Sequence, residues 1–191
     1  MIEVNRKILG IAVFLLAVAM LATPFVGTVM AGKGQEKLSF QIVLGGDTTP
    51  VPLTLDLIPK KYVFPAGSSE AQRLKTAWTF ADATVTLLID GWSYVPDVFE
   101  FVGFNMADLQ LEPNFAVSKL TWTFTFDGIG TIVVESTGKV VDLYTPDEHV
   151  VYKNTGHGTD QLKGVKIDIP LGEDVGTIMG LNLELLAAYK Q

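Results

Sequence analysis

Residues 120–126 read Leu-Thr-Trp-Thr-Phe-Thr-Phe and are followed by the turn pair Asp127–Gly128. Large apolar side chains alternate with threonines, so one face of the segment is apolar and the other carries β-branched hydroxyls. Such alternation is typical of a strand with one buried face, and aromatic and β-branched residues both favour strands. The segment therefore predicts a long, half-buried β-strand that ends in a hairpin turn.

The same alternation recurs along much of the remaining chain. Further strands are predicted at 38–44, 51–57, 83–89, 130–135, 139–144, 149–154, 164–169 and 178–189. Roughly eight to ten strands with short connections predict an all-β domain, a single antiparallel β-barrel, with a two-sheet β-sandwich as the alternative. The barrel is preferred because the chain has no cysteine for disulfides, and closure removes the sheet edges that would otherwise pair with neighbouring chains.

One segment predicts a helix instead. Ser69 and Gln72 have the spacing of a capping box, which begins a short helix that reaches about Trp78. Residues 98–109 fit neither the helical nor the strand period and receive no assignment. No internal repeat or linker divides the chain, so a single domain is predicted at residues 32–191.

Residues 1–31 predict a targeting segment that is not part of this domain. Arg6 and Lys7 precede an apolar, uncharged run at 8–31, and Val29 and Ala31 occupy the positions expected before a signal-peptide cleavage site. The run is also long enough for an uncleaved membrane anchor, which needs about 20 residues. Either alternative makes the protein secreted or extracytoplasmic, with residues 8–31 as its only membrane contact.

The charge balance argues against nucleic acid as a partner. The chain has 14 basic and 21 acidic residues and a formal charge of −7, and removal of Glu3, Arg6 and Lys7 with the targeting segment makes it −8. An acidic surface is repelled by phosphate backbones. The longest run of basic residues in the domain is the pair Lys60–Lys61. The acidity favours solubility outside the cell.

The glycine-spaced segment at 155–167 reads Thr-Gly-His-Gly-Thr-Asp-Gln-Leu-Lys-Gly-Val-Lys-Ile. It resembles the stretch that leads into one of the last strands of allene-oxide-cyclase-like barrels and, more loosely, of the calycins. Together with the targeting segment, it is also similar to uncharacterised exported proteins of archaea. The resemblance implies a small exported barrel, in a family whose enzymes isomerise or cyclise apolar substrates inside the barrel. It carries no active-site residue over to this sequence.

One cluster of side chains is a candidate for chemistry. His149 and His157 are the only imidazoles and, with Asp160, are candidate metal ligands or proton carriers. They could face each other across a bent strand or loop, or they could simply be exposed in a glycine-rich turn region. The serines lack the Gly-x-Ser-x-Gly motif of a nucleophile. The sequence therefore predicts no catalytic residue and no cofactor.

The aromatic residues predict either a packed core or a ligand site. Rings that converge inside a barrel can line an apolar pocket, whereas small barrels also fill their interior with such side chains. The candidate ligand-binding residues are Trp78, Trp92, Tyr94, Trp122 and Phe124.

Three classes of function remain open. The first is a non-enzymatic exported barrel that binds a small apolar ligand or acts at the cell surface. The second is an enzyme of the lyase, cyclase or isomerase type, whose barrel active site brings His149 and His157 together. The third is a structural subunit of a surface filament or layer, in which strand 38–44 is donated to a neighbouring sheet. The pattern leaves the oligomeric state open.

Overall fold

Nine β-strands form most of the part of the chain that the computed structural model describes. The described residues are 36–61, 63–64, 67, 73–108, 115–142, 145–171, 173 and 175–191. They contain three 3-10 turns, at Leu55–Leu57, Asp160–Leu162 and Ala187–Tyr189, and no α-helix. The strands are β1 (Lys37–Leu53), β2 (Arg73–Ile89), β3 (Trp92–Tyr94), β4 (Val98–Asp108), β5 (Phe115–Phe126), β6 (Gly130–Val141), β7 (His149–Gly158), β8 (Lys166–Ile169) and β9 (Gly176–Met179).

The all-β prediction is confirmed. The nine strands belong to one antiparallel sheet, so the described residues do not form the two separate sheets of the sandwich alternative. The alternating segment at 120–126 lies in β5, where Leu120, Trp122, Phe124 and Phe126 are all buried. The threonines between them are half-buried on the other face. The period of two in the sequence therefore reports the two faces of this strand correctly.

The strand pairings form a ring. The order is β1-β9-β8-β7-β6-β5-β4-β2, and a further pairing of β1 with β2 joins the two ends. The short β3 pairs with the end of β2. The main core lies on one face of this sheet, called the inner face below, and receives side chains from β1, β2 and β4–β9 as well as Tyr94 of β3.

The hairpin of β8 and β9 spans only part of the ring. It pairs with residues 154–157 of β7 on one side and with Lys37–Phe40 of β1 on the other. Beyond it, residues 149–153 of β7 pair with β6 alone, and residues 41–53 of β1 pair with β2 alone. The described strands thus leave a break in the ring between β1 and β7. The half of the ring with this break is called the lower half, and the half with the hairpin the upper half.

The C-terminal tail packs against the upper half. The predicted strand at 178–189 is wrong beyond Met179, because the chain turns there instead of pairing. Leu186 is fully buried in the main core. The Tyr189 ring meets Phe126 edge-on, with 5.1 Å between centroids, and its hydroxyl donates to the Asp127 carbonyl at 2.7 Å. The tail is therefore part of the core, and it joins the sheet only through a β-bridge between Lys190 and Tyr94 at its end.

The predicted helix from Ser69 to Trp78 is wrong where the structure describes it. Residues 73–78 are the first residues of β2 and pair with β4, whereas residues 68–72 lie outside the described residues. The capping box is a local signal. In this segment the inward-facing Leu74 and Trp78 alternate with the outward-facing Ala77, as in a strand. Pairing with β4 stabilises the strand by more than the capping box, worth about 1 kcal/mol, stabilises a helix.

Strand β4, which received no assignment, is apolar on both faces. Phe101 lies in the main core, whereas Phe104 and Met106 lie on the opposite face under Ile58 and Phe64. Because the segment after β1 covers this outer face, apolar residues occur there without the alternation of a half-exposed strand.

The predicted targeting segment at 1–31 lies outside the described residues. The described part of the chain holds no helix with the length and apolarity that a membrane crossing requires.

Candidate functional site

A small group of polar side chains lies on the inner face in the lower half. Strands β4 to β7 each contribute to it, and the surrounding inner positions are mostly apolar. Ser118 and Ser136 are completely buried, and the remaining members are buried or half-buried. We call this group the interior polar cluster, and its members are Asn105, Ser118, Ser136, Tyr152 and Asn154.

A glycine gives Tyr152 its position in the cluster. Gly138 of β6 lies between Ser118 of β5 and Tyr152 of β7 in the sheet register. Since residue 138 has no side chain, the Tyr152 ring packs across β6 where a Cβ atom would stand. Its hydroxyl donates to Ser118 Oγ at 2.7 Å, and Ser118 in turn donates to Asn105 Oδ1. Three strands are linked in this way by one hydrogen-bond chain.

Two tryptophans border the cluster. The indole N–H of Trp122 donates to Ser136 Oγ at 3.0 Å. The Trp78 ring lies over Gly103, where an added Cβ atom would come within 2.6 Å of it, and packs on Phe101 with 4.9 Å between centroids. The described structure therefore presents two indole N–H groups toward the core, and only that of Trp122 has a hydrogen-bond partner.

Two buried polar atoms at this place are unpaired. Trp78 Nε1, a donor, and Asn154 Oδ1, an acceptor, have no hydrogen-bond partner, and their residues are only 5% and 6% exposed. Leaving such an atom unsatisfied costs about 1–3 kcal/mol. Because buried polar groups are paired in the great majority of cases, this donor and this acceptor are the inner-face groups of the described strands that a bound molecule could satisfy.

The Tyr152 hydroxyl is a donor, not a base. Burial raises the pKa of Tyr152 to about 12, and its hydrogen bond to Ser118 opposes this effect only in part. We expect a measurable consequence for stability. Below pH 10 Tyr152 is mostly protonated in both the folded and the unfolded state, so it adds little pH dependence to the free energy of unfolding. Above pH 10 the unfolded tyrosine loses its proton first, so stability declines until pH passes about 12.

The comparison with Tyr152→Phe isolates this effect. Between pH 10 and 11 the free energy of unfolding should fall by about 1 kcal/mol more in the native protein than in the variant. Urea unfolding at both pH values measures the difference. Burial also raises the pKa values of Tyr94 and Tyr189, but both proteins share these residues. Equal declines in the two proteins would show that Tyr152 is not buried as described.

The structure does not bring the two histidines together. His149 begins β7 and His157 lies eight residues later on the same strand, which separates them by about 26 Å at about 3.3 Å per residue. Both are exposed. Asp160 is exposed as well and accepts a hydrogen bond from its neighbour Thr159. No group of three histidine or acidic side chains within the described residues could hold a metal ion. The paired-histidine site of the enzyme hypothesis is not formed.

The five predicted ring residues do not share one site. Trp78 and Trp122 border the interior polar cluster. Tyr94 and Phe124 are buried in the main core of the upper half, and Trp92 has 51% of its surface exposed. Two of the five candidates therefore lie beside the interior polar cluster, and three do not.

Sequence reasoning missed the polar members of the site. Ser118 precedes Leu120 and Trp122 at the same period of two, so extending the alternation of β5 by one step places a serine on the buried face. The alternation of β7 places Tyr152 and Asn154 on its buried face in the same way. A polar residue at a position that the alternation assigns to the buried face was the sequence signal for the interior polar cluster.

Searches of protein-family models, of curated proteins and of solved structures found no match to this chain.

Proposed function

We propose that the ring of strands is a closed β-barrel and that this exported protein binds a small, largely apolar molecule in its lower half. The ligand lies against Trp78 and Trp122 and reaches the interior polar cluster. The observation that supports this function is the unpaired Asn154 Oδ1 in an otherwise hydrogen-bonded, buried cluster. Export follows from the predicted targeting segment at 1–31.

The unpaired atoms define the chemistry of the ligand. Asn154 Oδ1 needs a donor, Trp78 Nε1 needs an acceptor, and the rings of Trp78, Phe101 and Trp122 offer an apolar surface. A hydroxyl group on an apolar body supplies both a donor and an acceptor. Each new hydrogen bond removes a penalty of about 1–3 kcal/mol from the free protein.

The lower half suits a ligand better than the upper half. The unpaired Asn154 Oδ1 lies in the lower half, whereas buried apolar side chains such as Phe40, Phe126 and Leu186 occupy the upper half. The break between β1 and β7 lies beside residues 149–153, next to Asn154. A ligand that enters there meets the polar cluster first.

The cluster favours binding over proton transfer. Its described members are hydroxyls and amides, and burial keeps Tyr152 protonated to about pH 12. A general base that works near neutral pH needs a pKa close to that pH. A lyase, cyclase or isomerase would have to draw its base from outside the cluster.

Matched pairs of probes test this proposal. We expect phenol and 1-naphthol to bind at least about fivefold more tightly than benzene and naphthalene, after correction for their transfer from water, because one hydrogen bond is worth about 1 kcal/mol or more. Equilibrium dialysis measures the dissociation constants. Asn154→Leu, which has a similar volume and no acceptor, should reduce this preference, because only Trp78 Nε1 then remains to bind the hydroxyl oxygen.

Two controls separate binding from folding. Thr155→Leu changes the exposed neighbour of Asn154 and should retain the preference for hydroxyl compounds. Asn154→Leu removes an unpaired buried acceptor, so its free energy of unfolding should equal or exceed that of the native protein. If the native protein shows no preference, or if the preference is as large in Asn154→Leu as in the native protein, the proposed function is wrong.

A further inference from the structure

The segment that follows β1 forms a groove on the outer face of the sheet. Residues 54–61, 63 and 64 lie over β2 and β4, where Ile58 and Phe64 pack on Ala77, Phe104 and Met106. A cavity of about 550 Å³ remains between this segment and the start of β2. We call it the loop groove, and its lining residues are Leu55, Asp56, Ile58, Lys60, Val63, Phe64, Arg73 and Lys75.

Large apolar side chains project into solvent around the loop groove. Leu55 and Leu57 are 49% and 48% exposed, Val63 is 77% exposed, and Val51 is 40% exposed. Four of the seven large hydrophobic side chains that are exposed in the described chain therefore lie within residues 51–63. Single exposed apolar residues are ordinary, but a concentration of them marks an interaction surface.

The charge of the loop groove is opposite to that of the protein. Among the described residues that line it, Lys60, Arg73 and Lys75 are basic and Asp56 alone is acidic, although the whole chain has a formal charge of −7. The Arg73 guanidinium lies over the Phe64 ring, 5.1 Å from its centroid. Positive charge and apolar surface thus occur side by side.

We propose that the loop groove docks the domain on an anionic lipid surface. Leu55, Leu57 and Val63 enter the boundary between headgroups and acyl chains, and Lys60 and Lys75 contact lipid phosphates. Protruding apolar residues flanked by basic ones are the pattern of an interfacial membrane contact. A single amphiphile is less well matched, because these apolar side chains point outward instead of closing over the groove. The acidic remainder of the surface is repelled by anionic lipid, so the contact also sets the orientation.

The absence of cysteine permits a site-specific test. Leu57→Cys and Val98→Cys place a thiol at positions with matched exposures of 48% and 47%, and Val98 begins β4, at the strand end opposite to the loop groove. Each full-length variant is labelled with a polarity-sensitive nitrobenzoxadiazole dye. The comparison of the two labels is the measurement, because the apolar N-terminal segment can bring either variant to a vesicle.

Phosphatidylglycerol vesicles should affect only the label at 57. We expect its emission to rise at least about threefold with a blue shift, and the response should weaken in 0.5 M salt and be small with phosphatidylcholine vesicles. The label at 98 should change little with either lipid. The proposal is overturned if position 57 does not respond, if both labels respond alike, or if monomeric dodecyl phosphate produces the response and vesicles do not.

Charge reversal provides the second arm. In the protein labelled at 57, Lys60→Glu with Lys75→Glu should raise the phosphatidylglycerol concentration needed for half-maximal response by about tenfold or more. The matched control reverses two exposed lysines elsewhere, Lys153 and Lys166, and leaves that concentration within about twofold. Equal shifts in the two double variants would mean that net charge, not the loop groove, determines binding. This inference is independent of the ligand proposed for the inner face, so either can fail alone.

Discussion

Replacement of Gly138 by alanine is expected to lower the free energy of unfolding by about 3 kcal/mol, the upper end of the usual cost of overpacking. The added Cβ atom would collide with the Val151 carbonyl oxygen and the Tyr152 ring. The carbonyl belongs to β7, which pairs with β6, and it cannot move away without loss of that pairing. Displacement of the ring would also break the hydrogen bond to Ser118.

Urea unfolding measures the cost of Gly138→Ala. The control is Thr137→Ala, an exposed neighbour on the same strand, which should change stability by no more than about 0.5 kcal/mol. An alanine variant as stable as the native protein would show that β6 and β7 do not approach as closely as described.

Deletion of residues 181–191 is expected to cost more than about 4 kcal/mol, because truncation of one buried leucine alone typically costs about 2–5 kcal/mol. The deletion removes the completely buried Leu186 and the ring and hydroxyl contacts of Tyr189. It also exposes the upper end of the main core, including Phe126.

Thermal and urea unfolding of the truncated chain test this role of the tail. Leu186→Ala should show a smaller loss of about 3 kcal/mol, and Glu184→Ala, at an exposed position, should be nearly neutral. If the truncated chain unfolds at the same urea concentration as the full chain, the tail is not a part of the core.

The strands were predictable wherever one face is buried and the other faces solvent. Residues 120–126 of β5 alternate because the inner face takes the large side chains. Strand β4 could not be recognised in this way, since the loop groove segment covers Phe104 and Met106 on its outer face. The alternation of apolar and polar residues along a strand shows which face is buried. It does not identify a strand whose second face is covered by a segment distant in sequence.

The C-terminal tail shows the converse case. Leu181, Leu183 and Leu185 alternate like strand residues, and all three pack partly buried on the main core, yet the chain there forms turns. Their alternation identified residues that contact the core. The backbone conformation depends on whether a neighbouring strand is available for pairing, which a single segment does not reveal.

The interior polar cluster depends on register across three strands. Ser118, Gly138 and Tyr152 are neighbours only because β5 pairs with β6 and β6 with β7 at particular residues. Each strand alone shows a serine, a glycine or a tyrosine with no indication of a shared site. The hydrogen-bond chain is therefore a property of the tertiary structure, whereas the histidine cluster that the sequence offered as one alternative does not form.

The length of the β8–β9 hairpin determines how much of the ring stays open between β1 and β7. Each strand has four residues, and the pairing with β7 stops at Asn154. Two further residues on each strand would carry the ladder as far as Tyr152 and narrow the passage without altering any core side chain. If the proposed ligand enters there, insertions or deletions in this one hairpin would change how fast it enters and leaves and would leave its contacts with Trp78 and Trp122 in place.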